Sequence, residues 1–337
     1  MSESTAVFKR LRLRERSIAP VALVPSVLVF GLFVYGFIAA TGLVSLSNWN
    51  TAKIDLSLAS NPLGSYEELL GSYRFQCDLR NTFVFTILLL IGTILLGLAL
   101  AILLETAVRG RRRTVFRQLF LFPYSLSFIV TGVAWRWIFN PETGINLLIN
   151  ATGVNHVLAV AGIGPLQPGW LTDPQVVLPV NNALASVFPP LAAIQTQLGI
   201  PVALIPVTIA SMWQLGGFAM AMFLAGLSTI PEEVREAARI DGATEAQIYR
   251  RIVLPMLRPI MVSIIIIVGA SSLKIFDLIV GMSGVGPGFA TDVPGLFVYD
   301  MAFGAQRYNL GAAASLVMLL LVTVVVLPYL ARSLRNE

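Results

Sequence analysis

The residues of this 337-residue chain that could do chemistry lie in three places, and none forms a catalytic set. Lys274 and Asp277 are opposite charges three residues apart in the otherwise apolar run Pro259–Met282. On a continuous helix they are neighbours, so they either neutralise each other or mark a polar route through an apolar medium. Trp213 and Gln214, with Gly216 and Gly217 beside them, and Asn309, Trp135 and Trp137 offer aromatic faces and amides in apolar surroundings. They suit a hydroxyl-rich ligand, or else an interfacial belt and helix core. The third place is the hydrophilic stretch 231–256, dense in carboxylates, small residues and arginines. Other chemistry is excluded by composition. Cys77 and His156 each stand alone, which rules out an intrachain disulfide and a cysteine cluster and leaves no metal site to expect. A phosphate-binding loop needs Gly-Lys-Ser/Thr, but Lys9, Lys53 and Lys274 follow Phe8, Ala52 and Leu273. No cofactor is expected.

The elements that must position these residues are membrane helices. Only 12% of the chain is charged and mean hydropathy is +0.79, against about a quarter charged in soluble domains. A helix needs about 20 apolar residues to cross roughly 30 Å of hydrocarbon. Ile18–Val44, Thr82–Leu104 and Tyr308–Ala331 meet this with no formal charge, Gln118–Trp135 does so when extended through Phe139, and Pro259–Met282 does so with two charges. The uncharged stretch Pro174–Pro231 could hold two helices, yet Pro179, Pro189, Pro190, Asn181, Asn182, Gln195 and Gln197 make its first part a poor span. Val202–Thr229 is therefore the fourth of six spans, and Gln175–Pro201 an external interfacial or re-entrant segment. The expected fold is all-α and polytopic.

Orientation follows from Lys and Arg. Seventeen fall on one side: five near the N-terminus, five over Arg109–Arg117, five over Arg235–Arg258, and Arg332 with Arg335; four fall on the other. Both termini and the loop 231–258 are expected in the cytoplasm of a cell-membrane protein. The basic N-terminus precedes too long an apolar run for a signal peptide and reads as flanking an uncleaved span. The net charge of +5 is explained by topology, not nucleic acid.

In the loop between spans four and five, Thr229 is placed to cap, Pro231 suits a first turn, and Glu232 and Glu233 sit at the positive end of the dipole. Val234, Ala237, Ala238 and Asp241 share one helical face; Gly242 interrupts; a second helix opens at Thr244 or Glu245 with Ile248, Ile252 and Val253 as its apolar side. Glu236-Ala237-Ala238, three residues, Gly242, nine residues, then Ile252-x-Leu254-Pro255 resembles the EAA loop of binding-protein-dependent ABC importers at every spacing. Trp135–Asn146, Trp170–Pro174, Ala225–Pro231 and Phe276-Asp277-Leu278 are similar to carbohydrate permeases of the first-subunit, maltose-transporter type. Gln175–Pro201 departs from them as an insertion, and Met282–Gly286 departs from their usual Thr-x-Gly-Gly.

The resemblance implies a type I importer permease: half of a sugar pathway, paired with a second permease, two ATP-binding subunits and an external solute-binding protein. It implies that Glu236, Ala237, Ala238, Asp241, Gly242, Ile252, Leu254 and Pro255 dock the ATP-binding subunit, which alone hydrolyses ATP. Trp213, Gln214, Lys274, Asp277 and Asn309 are the candidates for a sugar pathway. The division expected is 1–81 for the N-terminus, first span and external loop, and 82–332 for the ABC-type transmembrane domain with its loop 231–258. An ion-coupled secondary transporter is the alternative, but such proteins commonly carry internal repeats, none is evident here, and they have no use for the EAA loop.

Overall fold

A computed structural model describes residues 23–162, 164–181 and 194–333. The basic residues Lys9 to Arg16, the start of the first span, much of segment 175–201, and Arg335 lie outside the described residues. Two compact units emerge, one ending at Leu69 and rejoined by Met301–Val317, the other Leu70–Asp300 with the chain from Met318.

In the first unit α1 (Leu23–Ser45) is long and apolar enough to cross a bilayer. Its following loop is tied to the start of the last helix. Trp49 and Tyr308 stack at 4.5 Å, the Asn309 amide donates to the Trp49 carbonyl at 2.9 Å, and Arg307 grips Glu68 through two bonds of 2.5 and 2.6 Å. α2 (Gly64–Gly71) lies at the edge of this unit.

The second unit holds α3 (Tyr73–Thr106), α4 (Arg111–Leu121) running into a 3-10 turn Phe122–Ser125, α5 (Phe128–Ile138), and short α6 (Ile145–Ala151) and α7 (Val154–Val160). β1 (Val176–Val177) pairs antiparallel with β2 (Ile200–Pro201). There follow α8 (Leu204–Leu227), α9 (Glu232–Ile240), α10 (Glu245–Met256, with an internal π turn), α11 (Arg258–Ser272), α12 (Asp277–Met282) and α13 (Pro294–Tyr299). α14 (Tyr308–Ser333) starts in the first unit. Among the described residues α1, α3 and α8 are each long and apolar enough to cross a membrane, and the bent pair α4–α5 is so when taken as one span; the 15-residue α11 covers part of the expected fifth span, and α14 carries an apolar stretch over Tyr308–Val324.

Small residues let these helices approach, as expected where lipid removes the hydrophobic drive between them. A Cβ on Gly97 would stand 2.5 Å from that of Ala219, fixing α3 against α8. Gly132 of α5 and Gly281 of α12 face each other, each leaving room for the other helix's backbone.

Four local expectations are corrected. Thr229 does not cap α9; its hydroxyl donates back to the Gly226 carbonyl, and Pro231 takes the N-cap position with an extended backbone. α3 starts at Tyr73, not near Thr82. Its 34 residues reach about 51 Å at 1.5 Å each, so its first turns lie beyond a membrane core. There Arg74 bridges Asp292 at 2.5 Å and Asp300 at 2.6 Å, and the Asn81 amide donates to the Phe289 and Asp292 carbonyls at 2.8 Å each. The third span is broken after Ser125, α4 and α5 meeting at 100°. The fifth span stops at Ser272, so Lys274 and Asp277 do not share a helix. Ser271 and Ser272 bond back to the Ile267 and Gly269 carbonyls, and Asp277 opens α12, where a carboxylate suits the dipole. Both charges are exposed, and among the described residues they form no ion pair.

Candidate functional site: the 231–258 loop and the broken third span

The loop is a helix, a glycine turn and a second helix. α9 ends in a left-handed turn: Gly242 has φ +82°, its amide bonds to the Arg239 carbonyl at 3.0 Å, and the Ala243 amide reaches the Ala238 carbonyl at 2.9 Å. That closure satisfies the last carbonyls of the helix and demands a residue free to adopt positive φ. Thr244 then starts α10 with a reciprocal cap, its hydroxyl accepting from the Gln247 amide while the Gln247 side chain accepts from the Thr244 amide. Arg239 spans the turn, reaching Glu232 at 3.1 Å and Glu245 at 2.7 Å. These exposed bonds set shape more than stability.

The apolar side of α10 is where the spacing puts it, with Ile248 and Val253 buried and Ile252 half-buried. Leu254 and Pro255 are half-buried in the last turn before a 62° bend into α11. Gly226 admits Leu257 and Ile260, so the two ends of the loop are packed side by side.

The inner face of α9 is not the one its alanines suggest. Arg235 turns inward and is only 7% exposed, whereas Ile240 is 86% exposed. Arg235 meets Glu105, on the last turn of α3, at 3.2 Å, its guanidinium sits 6.0 Å from the Tyr249 ring centre, and the Tyr249 hydroxyl donates to Glu105 at 3.1 Å. Burial raises the Tyr249 pKa and the Glu105 carboxylate raises it further, so the hydroxyl keeps its proton for that bond. This three-residue strut escapes sequence reading because Glu105 and Tyr249 are 144 positions apart, and nothing local tells the inward Arg235 from the exposed Arg239 on the same helix. With Arg235 inward and Ala238 half-buried, Glu233, Glu236, Ala237 and Ile240 form an exposed stripe at helical spacing, with Asp241 and Gly242 at its end.

The pathway candidates separate. Gln214 is 1% exposed and its Nε2 donates to the Leu126 carbonyl at 2.7 Å, capping the break in the third span, while its Oε1 has no hydrogen-bond partner among the described residues. Gly217 is the point of closest approach, since a Cβ there would lie 1.9 Å from the Phe120 carbonyl oxygen. Phe218 stacks on Tyr124 at 5.1 Å. Trp213, 39% exposed, begins an aromatic series through Trp135 (5.7 Å), Phe139 (5.5 Å) and Trp170 (5.0 Å), which ends on an indole hydrogen bond to Asn146 at 2.8 Å. Trp137 is exposed. Lys274 and Asp277 do not join this group. Asn309 is committed to the first unit, its amide donating to Ser65 at 3.2 Å and its side-chain carbonyl accepting from Leu310 at 2.9 Å.

Residues 93–335 match the family model described as the inner membrane component of binding-protein-dependent transport systems. A probable ABC transporter permease of Pyrococcus horikoshii is 32% identical over 94% of this chain and 95% of its own. A xylose/arabinose import permease of Haloferax volcanii is 30% identical over 90% and 83%, and a trehalose/maltose transport permease of Thermococcus litoralis 26% over 95% and 95%. In structure the chain is similar to a bacterial ABC transporter involved in alginate import, with a TM-score of 0.67 over 98% and 99% of the two chains at 20% identity, a likeness of fold. The secondary-transporter alternative has no support beside these matches. The chain belongs to the family of inner-membrane permease components of binding-protein-dependent ABC transport systems.

Proposed function

We propose that this chain is one of two permeases of an ATP-driven carbohydrate importer, working with two ATP-binding subunits and an external solute-binding protein. The observation that carries this reading is the exposed stripe Glu233, Glu236, Ala237 and Ile240, ended by the Gly242 turn and braced from behind by Arg235. Such a braced, exposed ridge, kept low at Ala237 and Gly242 and ended by the apolar Ile240, is suited to a groove on another protein. Glu236, Ala237, Asp241 and Gly242 touch the ATP-binding subunit; Ala238, Ile252, Leu254 and Pro255 seat the ridge. Hydrolysis of ATP belongs to that partner, since this sequence has no phosphate-binding loop. The pentose and disaccharide relatives support a sugar as cargo.

The transmembrane domain is 82–332, and the break between α4 and α5 lies along the pathway. Unwound backbone at membrane depth persists where it lines a cavity or is held by protein. Here Gln214 and Trp213 supply an amide and an aromatic face beside it. Gln214→Leu keeps the volume but removes the cap. In proteoliposomes carrying the full complex and loaded binding protein, ATP-dependent sugar uptake is expected to fall about tenfold, as for loss of one buried hydrogen bond. Uptake by the unmodified complex is expected to require ATP and to survive collapse of the proton gradient. Gradient-driven uptake without an ATPase contradicts the proposal.

Both termini and 231–258 face the cytoplasm in this reading, and Gln175–Pro201 faces outside. With Cys77 replaced by Ser, cysteines at Gln197 and Arg250 are expected to label from opposite sides of the membrane. Labelling from one side contradicts the orientation.

A further inference from the structure

Next to the strut, the chain between α3 and α4 folds around an open hollow of about 620 Å³, lined by Ala107, Val108, Arg109, Arg111, Arg112 and Phe116. Membrane topology explains why arginines gather at this end, but not why three of them line one concavity. Gly110, at φ +60°, turns the chain so that Arg109 and the start of α4 share the hollow. Among the described residues, Arg109, Arg111, Arg112, Arg113 and Arg117 have no carboxylate within ion-pair distance. The neighbouring acid, Glu105, is already committed to Arg235 and Tyr249. The first turn of α4 has no side-chain cap, so its free amides and dipole add to the positive field. An anion would be held here by guanidinium pairs and backbone donors together.

Apolar side chains decide which anion. Val108 and Phe116 line the hollow, and Val115 and Leu119 continue an exposed apolar strip along α4. Leu103, on the last turns of α3, is 51% exposed. A site that is basic at one end and greasy along its length fits an amphiphile better than a free inorganic ion. We propose that Arg109, Arg111 and Arg112 bind the phosphate headgroup of an anionic phospholipid, with its acyl chains along Phe116 and Leu119. Given the orientation proposed above, that lipid belongs to the cytoplasmic leaflet, where anionic headgroups attract basic segments. It would sit beside the strut that braces the coupling loop.

The test uses the full chain purified in detergent, titrated with phosphatidylglycerol or phosphatidylcholine, with bound lipid counted by native mass spectrometry. Phosphatidylglycerol is expected to bind and phosphatidylcholine not. The pair Arg111→Gln/Arg112→Gln is expected to weaken binding about thirty-fold, from two arginines near an anionic headgroup. The charge-matched pair Arg113→Gln/Arg117→Gln, on the same helix but outside the hollow, is expected to change it little. Arg109→Gln alone gives a smaller loss and serves if the double variant does not fold. Equal binding of the two lipids, equal loss in the two double variants, or displacement of lipid by excess inorganic phosphate would each overturn the proposal. The detergent readout does not depend on transport or orientation, so it can fail without the import reading failing, and the reverse.

Discussion

Gly217→Ala is expected to cost the chain its folded state, with a loss of about 1–3 kcal/mol or more and little monodisperse protein recovered. The added Cβ would stand 1.9 Å from the Phe120 carbonyl oxygen and 2.7 Å from its carbon, so backbone must move rather than a flexible side chain. Movement of α4 there also pulls Leu126 away from Gln214, which leaves a second amide group buried without a partner. Gly269→Ala is the matched control, since its Cβ meets only Leu90 Cδ1 at 4.0 Å, and alanine is the better helix former. Thermal unfolding of the two purified variants checks this. Equal melting temperatures would show that the α4–α8 crossing is not so tight.

The second large effect is expected at the strut. Arg235→Ala leaves the Glu105 carboxylate beside the Tyr249 hydroxyl with no counter-charge, and Glu105→Ala leaves a guanidinium that is 9% exposed with no partner acid. Breaking a buried pair from one side costs about 3–5 kcal/mol at most; partial solvation of Glu105 brings this nearer 1–3. The functional loss should exceed the stability loss, because α9 is then held to the body mainly by its ends. Stimulated ATP hydrolysis by the assembled complex is expected to drop at least about tenfold in either single variant, on the scale of a 1.4 kcal/mol shift in loop position. The double variant Glu105→Leu/Arg235→Met fills the same space without charge and should be less impaired than either single. A double variant as impaired as the sum of the singles would show that the two residues act separately.

How much of this was legible in the sequence depends on the range of the interaction. The spans, the Gly242 turn, the Thr244 start of α10 and the burial of Ile248 and Val253 follow from local hydropathy, capping and period, which a single chain displays. Gly242 reads correctly because a positive φ and a glycine go together. The inward Arg235 could not be read, since its partner Glu105 ends a different helix and a helical wheel ranks residues by polarity alone. The break at Leu126 was equally hidden. Its apolar run looks continuous, and what holds it open is Gln214 and Gly217 from another span. Lys274 and Asp277 misled because three-residue spacing implies proximity only on an unbroken helix, and the serine pair ends that helix before Lys274.

If 231–258 couples this permease to a separate ATP-binding subunit, binding-protein-stimulated ATP hydrolysis in assembled variants must depend on the shape of that loop. Gly242→Val places a β-branched residue at φ +82°, which strains the turn and shifts the ridge. Ala237→Asp adds a carboxylate to the exposed stripe without touching the strut. Purified complexes are assayed for subunit stoichiometry and for ATPase activity with loaded binding protein. The expected result is that both variants keep the second permease but lose the ATP-binding subunits, or keep them without stimulation by the binding protein. Normal stoichiometry with unmodified stimulated hydrolysis in both variants would contradict the claim.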